Sequence, residues 1–169
     1  IEADRVIVAT GGYSYQATGS TGDGYRFARE TGHEVTELLP ALVPIETKES
    51  YITKMQGLSL KNVEITIKDG KRTLYNNFGE LLFTHFGMSG PLALSASSYI
   101  GKRLKKGPLQ GALDLKPALS REQLDKRLLR EFQEAPNKQF KNVVTGWFPA
   151  KLYPVMMELG GILPEKKVH

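Results

Sequence analysis

The hydrophobic residues at the start of the chain form a short continuous run that ends in glycines. Val6-Ile-Val-Ala9 is rich in β-branched residues and does not alternate with polar ones, which predicts a strand buried on both faces of a parallel sheet. A helix is predicted over Asp23–Thr31, with Gly32 as its left-handed stop. The chain therefore opens with one βα unit, and Pro40 and Pro44 predict an extended crossover that leaves it.

The period of the hydrophobic positions changes to two in the middle of the chain. Apolar and polar residues alternate over Val63–Lys68, and Asp69-Gly70 predicts a tight hairpin turn before a returning strand at Arg72–Tyr75. Glu80–His85 predicts a further strand. We therefore expect residues 46–113 to form a small antiparallel sheet or barrel.

The remaining apolar residues have helical spacing. A short helix is predicted over Leu92–Tyr99, because Pro91 suits the first turn of a helix. Ser120 and Gln123 predict a capping box at the start of the next helix. Four residues of that helix are expected to form one buried stripe: Leu124, Leu128, Leu129 and Phe132.

A last helix is predicted from near Pro149 to Gly160-Gly161, with a kink or a later start imposed by Pro154. These elements indicate an α+β fold class. The predicted domains are residues 1–45 with the βα unit and crossover, residues 46–116 with the β-barrel-like part and one short helix, and residues 117–169 as a helical subdomain.

The amino-acid composition limits the classes of function that the protein can have. The 169 residues contain no cysteine, which excludes a disulfide framework and a thiolate metal site and fits a reducing cytoplasm. No apolar run reaches the 18 or so residues of a membrane helix. Because the first residue is Ile1 rather than Met and a strand signal begins at Arg5, we expect the chain to be a piece of a longer protein.

The charge is distributed unevenly. Residues 1–50 carry 4 basic and 8 acidic side chains, whereas residues 99–151 carry 12 basic and 5 acidic ones. A basic segment is typical of nucleic-acid binding, but Lys102–Lys106 is predicted in a turn, and the basic residues of the helix after Ser120 alternate with acidic ones. A solvated helix face is the favoured interpretation.

The glycine-rich segment after the first strand is the main candidate site. Thr10-Gly11-Gly12 lets another group approach the backbone closely at a strand end, because no Cβ stands in the way at the glycines. The helix that begins near Asp23 exposes amide groups suited to a phosphate or a flavin ring edge. The spacing is not G-x-G-x-x-G. A tight turn in which Asp23 caps its own helix explains these residues about equally well.

Longer motifs distinguish the two interpretations. Four motifs together resemble the signature of bacterial aminoacetone-oxidase-like flavoproteins. They are Ala9-Thr-Gly-Gly-Tyr-Ser-Tyr15, Ala17-Thr-Gly-Ser-Thr-Gly-Asp-Gly-Tyr25, Gly32-His33 and Pro40-Ala-Leu-Val-Pro44. Those flavoproteins are FAD-dependent oxidoreductases often described as NAD(FAD)-utilising dehydrogenases. A second motif of that family is similar to Gly79-Glu-Leu-Leu-Phe-Thr-His-Phe-Gly-Met-Ser-Gly-Pro91.

The resemblance implies a flavoprotein with two dinucleotide-binding domains, whose Rossmann-like FAD domain is interrupted by a barrel-like and helical insert. The chain would hold a βα stub of the FAD domain and most of the insert, with NAD(P) as a second cofactor candidate. The residues implied to line the flavin are Thr10, Gly11, Gly12, Thr18, Gly19, Thr21, Gly22 and Gly24. Gln16 stands where the family's loop has proline, which puts the rigidity of the loop in question.

The histidines give weaker signals. His85 lies inside the second motif, where it would serve as an acid, base or oxyanion partner; a strand histidine bonded to backbone is the favoured alternative. His33 suits the negative end of its helix, and His169 is terminal. Tyr13 and Tyr15 would stack on the flavin ring or pack against the loop. No H-x-x-x-H spacing or Ser-His-Asp order indicates a metal site or hydrolysis.

The leading hypothesis is the insert or cap portion of an FAD-dependent oxidoreductase, acting on an unknown small molecule and unable to hold its cofactor without the rest of the FAD domain. The rival hypothesis is a β-barrel and helical binding module that docks RNA or a protein partner through its basic face.

Overall fold

The computed structural model describes residues 2–168, and the chain divides into two compact units, Ile1–Leu38 and Leu39–His169. The first unit contains a short 3-10 helix, Gln16–Thr18, and helix α1, Asp23–Glu30. The three-domain division predicted above stays a prediction.

Helix α1 ends as its sequence predicts. Gly32 has a φ of +85°, its N–H donates to Arg29 O, and the His33 N–H donates to Ala28 O at 2.8 Å. These two bonds form the Schellman motif, which a left-handed glycine permits at a helix C-terminus.

The strand predicted at Val6–Ala9 was wrong for the described chain. These residues form no strand, and the side chains of Val6, Ile7 and Val8 are 78%, 92% and 57% exposed. A strand needs a neighbour that accepts its hydrogen bonds, and the described part of this unit supplies helices and turns only.

The second unit is built on one antiparallel sheet, which confirms the α+β fold class. Its five strands lie in the order β1-β4-β3-β2-β5, and every neighbouring pair is antiparallel. The strands are β1 Ile45–Glu46, β2 Ser59–Asp69, β3 Arg72–Phe83, β4 Gly87–Ser89 and β5 Gln110–Asp114.

The alternation predicted for β2 is confirmed. Val63, Ile65 and Ile67 are at most 4% exposed, and the hairpin turns through Gly70 at a φ of +56°. The predicted strand at Glu80–His85 is instead the second half of β3, which runs unbroken to Phe83. The part of β3 that precedes this half contains residue types typical of turns, and it still pairs with β2. The β2 strand accommodates it through a bulge near Asn62, which has a φ of +57°.

The helices of this unit are α2 Gly90–Leu104, α3 Arg121–Gln133, α4 Phe140–Val144 and α5 Tyr153–Gly160, with a 3-10 helix at Ser50–Met55. Helix α2 is longer than predicted, so Lys102 and Arg103 lie in its last turn, where positive charge favours the helix dipole. Helix α5 begins at Tyr153, which confirms the later start that Pro154 predicted. Helix α4 was missed because five residues are too few to show a period.

The core lies between α2 and the β2–β3 hairpin. Ala93 and Ala96 of α2 have no exposed surface, and neither does Leu81 of β3. Small residues let the helix backbone approach the sheet closely, as interior packing density requires. Helix α5 and the 3-10 helix cover the same core through Val155 and Met55.

The capping box of α3 is confirmed: the Ser120 N–H donates to Gln123 Oε1 at 2.9 Å, and the Gln123 N–H donates to Ser120 Oγ at 3.2 Å. The buried stripe was wrong. Leu129 is 52% exposed, and no residue of α3 is fully buried. The helix packs chiefly through Phe132, whose ring lies 5.5 Å from that of Trp147, so the remaining apolar positions have little to pack against.

Truncating a buried core side chain should destabilise the fold. We expect Leu81→Ala to lower the free energy of unfolding by about 2–5 kcal/mol, because it deletes a buried side chain and leaves a cavity. Phe78→Ala on the same strand is the control, since that side chain is 54% exposed. Urea unfolding measures both; equal losses would contradict the assigned core.

The ion pair between the hairpin turn and α2 should make stability depend on pH. Arg103 Nη2 donates to Asp69 Oδ1 at 2.6 Å, and this hydrogen bond lowers the pKa of Asp69 below its ordinary value. A lowered pKa stabilises the fold above the pKa of the unfolded state, about 3.9, and the contribution disappears as pH falls through the folded value.

We therefore expect Asp69→Asn to lower the urea midpoint at pH 7 and to lose that difference progressively below about pH 4. Glu80→Gln is the control, because its carboxylate lies 3.9 Å from Lys61 Nζ and is half exposed. An Asp69→Asn deficit that is equally large at pH 3 and pH 7 would contradict this assignment.

Candidate functional site

The glycine-rich segment of the first unit is held by left-handed backbone. Gly11, Gly19 and Gly22 have φ values of +70°, +94° and +85°, and Tyr15 has a φ of +54°. Glycine adopts this region without strain, whereas Tyr15 adopts it at a cost. The loop therefore adopts the left-handed backbone conformations that its glycines permit.

Two glycines are required by contacts within the loop. A Cβ on Gly22 would lie 2.4 Å from the ring of Tyr13, and one on Gly24 would lie 2.6 Å from Thr10 Oγ1. The Tyr13 ring in turn lies 5.4 Å from that of Tyr25. Tyr13 thus packs against the loop, the second of its two predicted roles.

Other loop positions are open. Gly19 has nothing within 4 Å of where its Cβ would be, and Thr10, Gly11, Thr18 and Thr21 are exposed. Each of these residues is accessible to a ligand.

The predicted cap of α1 needs correction. Gly22 occupies the N-cap and no side chain caps the helix. Asp23 is the first helical residue instead: its carboxylate accepts from Thr21 Oγ1 at 3.1 Å and pairs with Arg26 at 3.2 Å. Its negative charge in the first turn favours the helix dipole.

His85 lies on the turn between β3 and β4 and is exposed, so the strand position preferred for it was wrong. The Thr84 N–H donates to Gly87 O at 2.9 Å, and the Gly87 N–H donates to Thr84 Oγ1 at 3.0 Å. The imidazole meets the Phe86 ring edge-on at 4.8 Å between centroids. This four-residue turn presents both rings on one rigid support.

A hollow of about 380 Å³ adjoins this turn. Besides His85 and Phe86, it is lined by Glu46, Thr47, Lys48, Glu49, Ser50, Ile52 and Thr53. The Thr47 N–H donates to Phe86 O at 3.1 Å, whereas Thr47 Oγ1 is buried and has no hydrogen-bond partner within residues 2–168. Nothing in the sequence of residues 46–53 signalled this hollow, because the pairing of β1 with β4 creates it.

A second hollow, of about 580 Å³, lies in the helical part. It is lined by Arg130, Glu131, Glu134, Ala135, Lys138, Asn142 and Val143. Arg127 Nε donates to Glu131 at 2.9 Å, and this hydrogen bond lowers the pKa of that carboxyl. The Val168 N–H donates to Lys138 O, which brings the C-terminal segment with Lys166 and Lys167 beside Lys138.

His33 is exposed beyond the end of α1, and His169 lies outside the described residues. Within residues 2–168, no group of three histidine or carboxylate side chains is placed to hold a metal ion. No helix in that range has both the length and the apolar composition of a membrane span.

Curated relatives match the chain nearly end to end. It is 32% identical over 161 residues to a 3-dehydro-bile acid delta(4,6)-reductase of Clostridium scindens, which covers 95% of the chain and 39% of the relative. It is 32% and 29% identical to ribosomal RNA dihydrouridine synthases of Haemophilus influenzae and Escherichia coli, covering 97% and 96% of the chain and 38% of each relative. The chain thus spans about two fifths of the length of these relatives.

A family model described as the HI0933-like protein barrel and H2TH domain matches residues 39–169. The matched range begins where the second compact unit begins and includes its sheet and all four of its α-helices. Since the match covers well over half of the chain, the chain belongs to the HI0933-like barrel and H2TH domain family.

Proposed function

We propose that the chain is the barrel and helical portion, with an adjoining glycine loop, of an FAD-dependent reductase that works in the cytoplasm. The observation that carries the proposal is the glycine loop: its backbone is left-handed at Gly11 and Gly19, and a ligand can approach at Gly19. The aminoacetone-oxidase-like signature of that loop supports the same cofactor.

The open part of the loop is where a flavin would lie in this proposal. Contacts with Tyr13 and Thr10 fill the space at Gly22 and Gly24, whereas Gly19 stays open. Thr10, Thr18 and Thr21 add hydroxyl groups beside the start of α1, where backbone amides and the helix dipole favour an anionic or electron-rich edge. FAD would supply hydride transfer when bound.

The relatives suggest the class of reaction. A delta(4,6)-reductase of a 3-dehydro-bile acid and a dihydrouridine synthase are both named for the reduction of ring carbon–carbon double bonds, and in both substrates the double bond is conjugated to a ring carbonyl. We propose the same chemistry for this protein: a hydride adds to one carbon of such a bond and a proton to the other. NAD(P)H is the candidate source of the hydride.

In this proposal the second unit contributes to substrate binding, and the 169-residue chain alone does not hold FAD. One glycine loop and one helix bury too little of a dinucleotide, since a Rossmann-like site distributes its contacts over several strand ends.

The cofactor can be tested directly. We expect the full-length protein to purify with a flavin absorbance spectrum and to release FAD on denaturation, whereas residues 1–169 alone should lose the colour during gel filtration. A colourless full-length protein that takes up no added FAD would contradict the proposal, as would a 169-residue chain that stays yellow.

The loop contribution has its own test. Gly22→Ala in the full-length protein places a Cβ against the Tyr13 ring at a φ of +85°, so we expect at least a tenfold loss of FAD affinity, about 1.4 kcal/mol. Gly146→Ala is the matched control, because nothing lies within 4 Å of its Cβ position. Isothermal titration of apoprotein with FAD measures both, and equal affinities would exclude the loop from the site.

RNA is a second candidate, as the substrate or as a docking partner. The observation in its favour is a set of basic residues on neighbouring segments, called here the basic cluster, which also adjoins Glu131 and Glu134: Arg130, Lys138, Lys166 and Lys167. Two of the relatives are named for a modification of ribosomal RNA. A cluster of this kind would contact phosphates rather than read bases.

Phosphate contacts would make binding depend on salt. If the cluster binds RNA, the affinity for a ribosomal RNA fragment should fall steeply between 50 and 200 mM salt, and Lys138→Gln should lower the slope of log K against log salt by about one. Lys54→Gln is the control, because Lys54 pairs with Glu158 at 2.6 Å. Absent or salt-insensitive binding would remove this candidate and leave the flavin proposal standing.

A further inference from the structure

We propose that the hollow beside the β3–β4 turn is a binding site for an uncharged planar ring that carries a carbonyl group conjugated to a double bond. The inference rests on the proposed function only in the choice of ligand chemistry. The site itself follows from the shape, the charge and an unsatisfied hydroxyl of residues 46–53 and 85–86.

The hollow has the dimensions and surfaces of a small-molecule site. Its volume of about 380 Å³ lies within the range of ligand pockets. Ile52 is 7% exposed and forms an apolar wall, and the Phe86 ring is 37% exposed. A planar ring gains most from such a surface, since aromatic faces stack without a directional polar contact.

The aromatic side of the hollow is held in place. The Thr84–Gly87 turn is closed by two hydrogen bonds, and Phe86 O accepts the Thr47 N–H. Gly87 cannot be replaced without moving β1, since a Cβ there would lie 2.1 Å from Ile45 O. A pre-organised wall lowers the entropy that a ligand must lose when it binds.

Thr47 provides the polar contact. Its hydroxyl is buried and has no hydrogen-bond partner among the described residues, a situation that destabilises the fold. Turning the hydroxyl toward the hollow breaks no existing bond. A ligand carbonyl that accepts from Thr47 Oγ1 would remove this cost, and the exposed His85 imidazole offers a second donor.

Charge disfavours anionic ligands in the hollow. Glu46 and Glu49 outnumber Lys48 among its carboxylate and ammonium groups, and all three are exposed, so a phosphate or a carboxylate would meet weak net repulsion. The uncharged ring of a larger substrate therefore fits here, and the substrate's acidic groups lie outside. Both a uracil ring and the enone ring of a steroid meet this description.

The test is binding of two probes, uridine and a 4-en-3-one steroid, to the full-length protein, followed by histidine ¹H–¹³C NMR with the His85 signal assigned through His85→Gln. We expect one probe to shift the His85 signal saturably. Testing the two probes separately shows whether the hollow binds the uracil ring or the steroid ring. If neither probe moves the His85 signal at millimolar concentration, the inference is wrong.

Two isosteric variants separate binding from structure. Thr47→Val removes the unsatisfied hydroxyl, so we expect unchanged or higher thermal stability together with a five- to thirtyfold weaker probe affinity. Thr145→Val is the control from outside the hollow: its hydroxyl donates to Lys141 O at 2.6 Å, and probe affinity should not change. Equal affinities for Thr47→Val and the parent would overturn the assignment.

The flavin content of the same samples distinguishes failure of this inference from failure of the proposed function. Probe binding at His85 in a protein without flavin would contradict the proposed function and leave the hollow as a ring-binding site. A flavin-loaded protein whose His85 signal ignores both probes would contradict this inference alone.

Discussion

The close approach of α2 to the β2–β3 hairpin is the contact on which the second unit depends. Ala93 and Ala96 let the helix backbone approach the sheet, and Leu81 is buried in the same core. Because α2 follows β4 directly, the same contact fixes where β4 lies and where its partner β1 can pair. The turn that carries His85 is therefore positioned by core packing, although the turn itself is on the surface.

The two units are stabilised by different means. In Ile1–Leu38, turns, a Schellman motif and ion pairs along α1 supply short-range bonds. The second unit has a continuous hydrophobic core and hydrogen bonds between residues far apart in sequence, such as the Val43 N–H to Ser97 Oγ. Local bonds shape a loop but bury little apolar surface, so the first unit gains less from its own contacts.

Local chemistry made much of this fold predictable. The capping box at Ser120, the stop at Gly32 and the alternation in β2 each depend on residues within one element, so the pattern specifies the outcome. The continuity of β3 and the exposure of Leu129 depend on what lies opposite, and no local pattern encodes it. The candidate site divides in the same way: glycines signal the loop, whereas the hollow at Thr47 arises from strand pairing between distant segments.

The exposed run Val6-Ile7-Val8 has a practical consequence. Three exposed β-branched residues form the kind of segment that pairs edge to edge with another copy of itself. Glu2, Asp4 and Arg5 precede the run, so one end of it carries charge. We expect the isolated chain to self-associate through this segment, and a charged residue at position 7 to reduce that association.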